Sequence, residues 1–329
     1  MPQLILPYGL SSPATGWKLF TALVNGELKP GNAWHRPGYR TKYFLRALAL
    51  PLSSYGLLNN LAQNARLALI LKAQPALPTK LYRPYLAANL SRPTVMTALS
   101  QHYQQLERYL PARLFEHYLT AAGAALVSLE GKNGEHFRIK LVAMDQLNKE
   151  GEATLLFENA QGVQLATVTF SVFRYQQRQT LFIGGIQGAR AETPHDVIQQ
   201  ASKECHGLFP KRLLIEVLCR LASHLAVEQI LAVSNQSHIY QNWRYHYKKK
   251  ALLFADYDGF WLSLNGERTA NHHFRLPARI ERKSPQQIAS KKRAEYRRRY
   301  ALLDSLDSQM EDHFKSLSYV HRRHSRLLY

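Results

Sequence analysis

Apolar residues recur at helical spacing through the first third of the chain. Leu57, Leu58, Leu61, Ala65, Ala68 and Leu69 fall on one face of a helix, which predicts a buried stripe. Prolines at 51, 75, 78, 93 and 111 cut the region into short pieces. The run Ser91-Arg92-Pro93 offers a cap residue and a first-turn proline, the signature of a helix start. Residues 17–119 therefore read as a succession of short helices.

After Gly123 the period changes. Phe137, Ile139 and Leu141 alternate with Arg138 and Lys140, the two-residue repeat of a half-buried strand. Residues 153–157 and 164–173 read as two more strands, joined by turn residues at 159–162 into an antiparallel hairpin. Residues 180–186 are a fourth strand that runs into Gly184, Gly185 and Gly188. A helical stretch follows, broken near Gly207 and Pro210, with Leu213, Leu214, Val217, Leu218, Leu221 and Leu225 on one face. A strand at 229–234 comes directly after it. Strand, helix, strand implies a crossover and a partly parallel sheet. Residues 242–264 mix aromatic and basic side chains and read as further strands or a short helix. A last helix is expected from Ser284-Pro285 to about Phe314, with Ile288, Tyr296, Tyr300, Leu303, Leu306 and Met310 along one side and a frayed basic tail beyond. The fold class is α+β: a basic helical region at 1–122, a mixed α/β domain at 123–280, and a basic C-terminal helix and tail at 281–329.

Charge adds the next constraint. In 329 residues, Lys and Arg outnumber Asp and Glu by 43 to 23, a formal charge of +20. Glu27 is the one acidic side chain before residue 107, while Arg36, Arg40, Lys42, Arg46, Arg66, Lys72, Lys80, Arg83 and Arg92 accumulate there. The run Lys291, Lys292, Arg293, Arg297, Arg298 and Arg299 forms a second basic cluster. Arg36 and Arg40, with these six, are the candidate polyanion-binding residues. Three polyanions fit: nucleic acid, an anionic membrane surface, or an acidic carrier protein. Nothing matches a groove-reading motif, so base-specific recognition has no support. Tyr296 and Tyr300 continue the apolar side of the last helix and are expected to pack inward.

Other chemistry is sparse. Cys205 and Cys219 lie fourteen positions apart on the same helical stretch, too far along it to pair, which points to a reducing compartment. Cys205 and His206 are neighbours that point about 100° apart on a helix, so Cys205 reads as a small buried apolar residue. No His-Glu-x-x-His or paired Cys-x-x-Cys occurs, and no metal is expected. Asp256-x-Asp258-Gly reads as a turn with local side-chain hydrogen bonds, with a shared proton or a cation as the alternative. Residues 1–20 lack the charged and apolar regions of a secretory signal, and no 18-residue apolar run occurs. A cytoplasmic protein, at most peripheral at the inner membrane, is the expectation.

Several segments resemble the VirK/YbjX family: Gly184-Gly185-Ile186-Gln187-Gly188, His206-Gly207-Leu208-Phe209-Pro210-Lys211-Arg212-Leu213-Leu214, and Leu231-Ala232-Val233-Ser234-Asn235. Asp256-Tyr257-Asp258-Gly259-Phe260-Trp261, the run from Lys292 to Asp304, and His35-Arg36-Pro37-Gly38-Tyr39-Arg40 extend the likeness over nearly the whole chain. The resemblance implies an intracellular protein linked to virulence gene output, envelope stress or remodelling and tolerance of antimicrobial peptides, without an established reaction.

A more distant resemblance is to the N-acetyltransferase (GNAT) superfamily, on the strength of four strands, a glycine-interrupted helix and a strand ending in Ser-Asn. It implies an acyltransferase using acyl-CoA or an acyl carrier protein. In that superfamily a splayed strand exposes backbone groups to the pantetheine arm, and the next helix aims free N–H groups at phosphate. Carried over, Ile186, Gly188 and Ser234 would line the donor arm; His206, Gly207, Lys211 and Arg212 would hold its phosphate; Asn235 and Tyr240 would stand at the thioester. The phosphate-loop pattern itself is broken, since His206 and Leu208 replace its small residues and Pro210 falls in the first turn. The alternative is a non-enzymatic basic protein that binds nucleic acid or anionic membrane and affects virulence gene expression.

Overall fold

The computed structural model describes residues 15–245 and 256–325, with side chains to 315. The first region folds into α1 (Gly16–Asn25), α2 (Pro37–Ala49), α3 (Pro51–Ala62), α4 (Leu67–Ala73), a 3-10 segment Leu77–Tyr82, α5 (Arg92–Tyr109) and α6 (Ala112–Tyr118). Ser91 caps α5 as its sequence predicts, accepting from the Thr94 amide. The expected stripe from Leu57 to Leu69 is not continuous. Asn64 Oδ1 accepts the Arg66 amide at 2.8 Å and turns the chain, so Leu57, Leu58 and Leu61 are buried on α3 and Ala65 is exposed in the break.

An eight-stranded sheet follows, in the order β1-β2-β3-β4-β5-β6-β8-β7. Five of its strands answer the expected ones closely: β2 (His136–Val142), β3 (Ala153–Asn159), β4 (Gln164–Tyr175), β5 (Arg178–Gly188) and β6 (Gln229–Val233). The β3–β4 turn uses Asn159 Oδ1 as acceptor for the Val163 amide, with Gly162 at φ +76°. All pairings are antiparallel except β5 with β6 (Gln229–Val233), which are parallel. The crossover between them carries two helices, α7 (His195–Glu204) and α8 (Pro210–His224). Cys205 and Cys219 thus belong to different segments rather than one helix; both are buried and free, and burial pushes each thiol up to about 12.

Three strands escaped sequence reading: β1 (Ala124–Glu130), β7 (Glu267–Arg268) and β8 (His273–Leu276). The last two have only two and four residues, too short for a period to show. Within the aromatic-basic segment, residues 246–255 lie outside the described residues, and Tyr257–Leu262 is a helix, α9. The final helix also starts later than Ser284. Ser284 and Gln287 form a capping box around a short 3-10 turn, Ile288 is extended and buried, and the helix α10 runs Arg293–Ser325.

α5 and α8 both pack against β4, and β4 and β5 are buried along nearly their whole lengths. A central sheet covered on both faces is the economical way to bury such strands. The hydrophobic core is continuous from Leu19 on α1 to Phe314 on α10, across the 122/123 boundary. A buried polar network reinforces that junction. Lys80 Nζ donates to Gln74 Oε1 (2.9 Å) and to both Glu152 oxygens (2.6 and 2.8 Å), Tyr103 Oη donates to Glu152 Oε2 (2.6 Å), and Tyr118 Oη donates to the Glu152 carbonyl (2.9 Å). His102 accepts from the Val172 amide through Nδ1, so its Nε2 faces Tyr118 Oη as donor. Burial pulls His102 down to about 3 and keeps it neutral.

At the free edge of the sheet, α10 covers β1. Gln309 accepts from the Ser128 amide (2.8 Å) and donates to its carbonyl (2.9 Å), and His313 Nε2 stands 3.0 Å from the Leu126 carbonyl. One side-chain amide thus stands in for a neighbouring strand and blunts an edge that could otherwise pair with another chain.

Candidate functional site

The parallel pair sets the site. β5 and β6 pair from Thr180↔Gln229 to Ile183↔Ala232 and no further, although β5 runs on against β4 to Gly188↔Ala166. A bulge between Thr169↔Gly185 and Phe170↔Ile183 leaves Gly184 as the extra residue. Two parallel strands that part in this way mark the place where α/β folds put ligands; here the buried side chains of Glu150, His238 and Tyr257 fill the gap.

Glu150 packs into this gap from the turn after the 3-10 helix Asp145–Leu147. The glycines are there to receive it. A Cβ at position 184 would lie 2.1 Å from the Glu150 carbonyl oxygen, and one at 185 would lie 2.0 Å from its carboxylate. Gln187 Nε2 donates to both carboxyl oxygens, at 3.1 and 3.0 Å. Burial pushes the Glu150 carboxyl up to about 7, against the opposing pull of the Gln187 hydrogen bond and the Lys149 charge. A carboxyl with that affinity exchanges its proton at neutral pH.

His238 follows β6 and faces Glu150. Its Nδ1 accepts the Tyr240 amide at 3.3 Å, which leaves the proton of the neutral ring on Nε2. Among the described residues Nε2 has no hydrogen-bond partner; it is buried and stands 3.9 Å from Glu150 Oε1. Burial lowers His238 to about 4, so it is neutral near pH 7. Its ring packs against Tyr240 and Tyr257, with centroids 5.0 and 4.9 Å away.

α9 supplies the third wall. Tyr257 Oη accepts the Ile186 N–H at 3.4 Å, and Trp261 Nε1 donates to the Val233 carbonyl at 2.8 Å. These are backbone groups at the parting ends of β5 and β6, and α9 takes up both. Burial and then the Glu150 charge raise the Tyr257 phenol, which therefore keeps its proton. Glu150, His238, Tyr257, Gln187 and the Ile186 amide thus form one cluster holding a titratable carboxyl, a proton donor and a backbone N–H.

The residues expected from sequence divide into three groups. Ile186 and Tyr240 belong to this cluster; burial and the Glu150 charge raise the half-buried Tyr240 phenol. Gly188 lies beside Lys211, whose ammonium is lowered by partial burial. Asn235 and Ser234 hold the frame around this cluster. Asn235 Oδ1 accepts the Tyr257 amide (2.8 Å) and its Nδ2 donates to Asp256 (3.0 Å), while Ser234 bonds with Ser237 and the Gln236 amide. Asp256 caps α9 through the Gly259 amide, and Asp258 accepts from the Asn235 amide and pairs with Arg268, which is turn chemistry.

The expected phosphate cradle at Gly207 is not formed. The amides of His206, Gly207 and Leu208 bond to the carbonyls of Lys203, Ser202 and Cys205, so none is offered to a ligand. Arg299 donates through Nε to the His206 carbonyl (2.9 Å), and a Cβ at 207 would meet its guanidinium at 2.6 Å and Glu295 at 2.8 Å. Arg212 pairs with Glu216 (3.4 Å). Arg40 is likewise spent on structure, donating to the Trp34 carbonyl (2.9 Å), whereas Arg36, Lys291, Lys292, Arg293, Arg297 and Arg298 are exposed. Tyr296 and Tyr300 are half-buried, and Arg299 lies over the Tyr296 ring at 4.2 Å.

Glu150, His238, Tyr257 and Gln187 were not legible as site residues. The available signal was the Gly184-Gly185 pair inside a strand, which means that another group packs onto its backbone.

Residues 32–312 match the model of a family described as "Protein of unknown function (DUF535)". The chain is 48% identical over 305 residues to the uncharacterized protein YbjX of Escherichia coli K12, covering 93% of this chain and 92% of that protein. It is 32% identical over 136 residues to an uncharacterized protein of Haemophilus influenzae, covering 41% of this chain and 45% of that one.

Proposed function

We propose that this chain, which belongs to the DUF535 family of YbjX-like proteins, transfers an acyl group from a carrier-bound thioester to an amine or hydroxyl of an envelope precursor or protein. The observation that carries the reading is the Glu150 cluster at the parting ends of β5 and β6.

In this reading Glu150 removes the proton of the attacking amine or hydroxyl as that atom bonds to the thioester carbon. As Tyr257 Oη leaves the Ile186 N–H for the thioester sulfur, that N–H is freed to donate to the carbonyl oxygen as it gains negative charge. When the carbon–sulfur bond breaks, the leaving thiolate takes the Tyr257 proton. Glu150 then returns its proton to the phenolate, across the cluster that His238 packs together. The products are the acylated acceptor and a free thiol, and no further reactant is required.

The donor is better matched by an acyl carrier protein than by acyl-CoA. The amides at 206–208 are used internally, so a pyrophosphate finds no backbone cradle. Lys211 beside Gly188 provides one cation, suited to the single phosphate of a carrier-bound pantetheine. The exposed Lys291, Lys292, Arg297 and Arg298 provide a surface for the acidic carrier itself.

The test is acyl transfer from a purified acyl carrier protein, followed by loss of the thioester. Glu150→Gln should lower the rate by roughly 10²–10⁴, and Lys211→Ala should weaken carrier binding with the fold intact. Thioester turnover at an undiminished rate in Glu150→Gln rejects the reading.

A further inference from the structure

A separate feature lies on the helical side of the molecule. A cavity of about 570 Å³ opens between the end of α2, the segment after the 3-10 helix Leu77–Tyr82, the start of α5 and residues 242–244. Arg46, Arg83, Arg92 and Arg244 line it, with Leu50, Leu90 and Trp243 among the apolar residues, and its described lining residues include no carboxylate. Arg83 donates to Asn148 Oδ1 (2.7 Å) and keeps a buried Nε that has no partner among the described residues. Arg244 is stacked over Trp243 at 5.4 Å and donates to the Tyr82 carbonyl (3.0 Å), which fixes both side chains at the mouth.

Large apolar side chains are also exposed close in sequence to the lining residues Arg46, Ala49 and Leu50. Leu45, Leu48 and Leu52 are 59%, 58% and 86% exposed across the α2–α3 junction, and Trp243 is 74% exposed. Large apolar side chains grouped in this way mark a docking surface more often than a solvated one. Arg36, Lys42 and Arg46 are exposed along the same α2 segment. Between Glu27 and Glu107 the sequence holds no acidic residue to offset them.

We propose that this face seats on an anionic phospholipid bilayer: the Leu45, Leu48, Leu52 and Trp243 side chains enter the interface, and one lipid phosphate sits in the arginine-lined cavity. Basic residues gain roughly a kilocalorie-scale attraction each at such a surface, and apolar insertion adds to it. A nucleic acid would use the arginines and the tryptophan but gain nothing from three exposed leucines. The lipid surface accounts for both halves of the patch. The inference stands independently of acyl transfer, because none of the residues invoked belongs to the Glu150 cluster.

Co-sedimentation of the full chain with vesicles tests it. Binding is expected to phosphatidylglycerol-containing vesicles and to be far weaker on phosphatidylcholine alone. Arg46→Glu with Arg92→Glu should reduce binding about tenfold or more; both side chains are exposed, so the fold is retained, as circular dichroism would show. Leu48→Ser with Leu52→Ser should lower vesicle binding and leave any RNA binding unchanged. Equal binding to neutral vesicles, binding to RNA without binding to vesicles, or vesicle binding indifferent to both double variants overturns the proposal.

Discussion

Lys80→Met removes the cation from the buried network that joins the helical region to the sheet. Lys80 and Glu152 are both fully buried and share two hydrogen bonds. Burial pulls the Lys80 ammonium down to about 8 against the attraction of Glu152, which leaves it charged at neutral pH. Burial pushes the Glu152 carboxyl up, but Lys80, His102 and the hydrogen bonds outweigh it and hold the carboxyl below its ordinary value. Without Lys80, the Glu152 carboxylate would be left in a dry site with phenol donors such as Tyr103 and no cation beside it. Breaking such a pair from one side costs about 3–5 kcal/mol. The sign of the pH dependence should also reverse. In the parent a depressed carboxyl contributes stability above the unfolded value of 4.5 and loses it as pH falls. In the variant the same carboxyl is raised by burial and stabilises the fold best at low pH. Urea unfolding followed by circular dichroism at pH 3, 5 and 8 measures both effects, since the parent loses the Glu152 contribution below 4.5 and the variant loses stability above it. Adding Glu152→Gln should recover part of the loss, since an amide carries no charge and can still accept from Tyr103. A loss under about 1 kcal/mol, or an unchanged pH slope, would refute the reasoning.

Other outcomes follow from the same structure. Glu150 is raised from 4.5 to about 7, so its contribution is fully present below about pH 4.5 and lost as pH rises through 7; Glu150→Gln should gain stability over the parent at pH 8, on the order of 3 kcal/mol, and little at pH 4, read by thermal unfolding. Gly184→Ala sets a Cβ against the Glu150 and Leu86 carbonyls and should cost roughly 1–3 kcal/mol, visible in the urea midpoint. Gln309→Ala uncovers the β1 edge and should cost about 1 kcal/mol, with faster hydrogen exchange at Ser128 and concentration-dependent association by light scattering.

Sequence pattern was most informative where strands are long, whether half-buried like β2 or buried on both faces like β4. Alternation at 137–141 and the glycine turn at 159–162 were enough to place β2 and the β3–β4 hairpin, and the Leu213 to Leu225 stripe placed the crossover helix. It failed where tertiary contacts decide. β7 and β8 exist because β6 offers them an edge, and α10 begins at Arg293 because Ile288 is drawn into the core. The site was half visible for the same reason. Gly184, Gly185 and Ile186 could be read locally, but their partners come from residues 150, 238 and 257, which only the folded sheet brings together. Asn235, placed at the chemistry by its position after β6, is consumed in holding α9.

Carbon-13 NMR titration of glutamate-labelled protein, with Glu150→Gln to identify the resonance, addresses the poised carboxyl directly. A single glutamate titrating near pH 7 and missing from the variant is the predicted result. A Glu150 signal that titrates with the surface glutamates near 4.5 would contradict it, and would remove the base from the proposed chemistry.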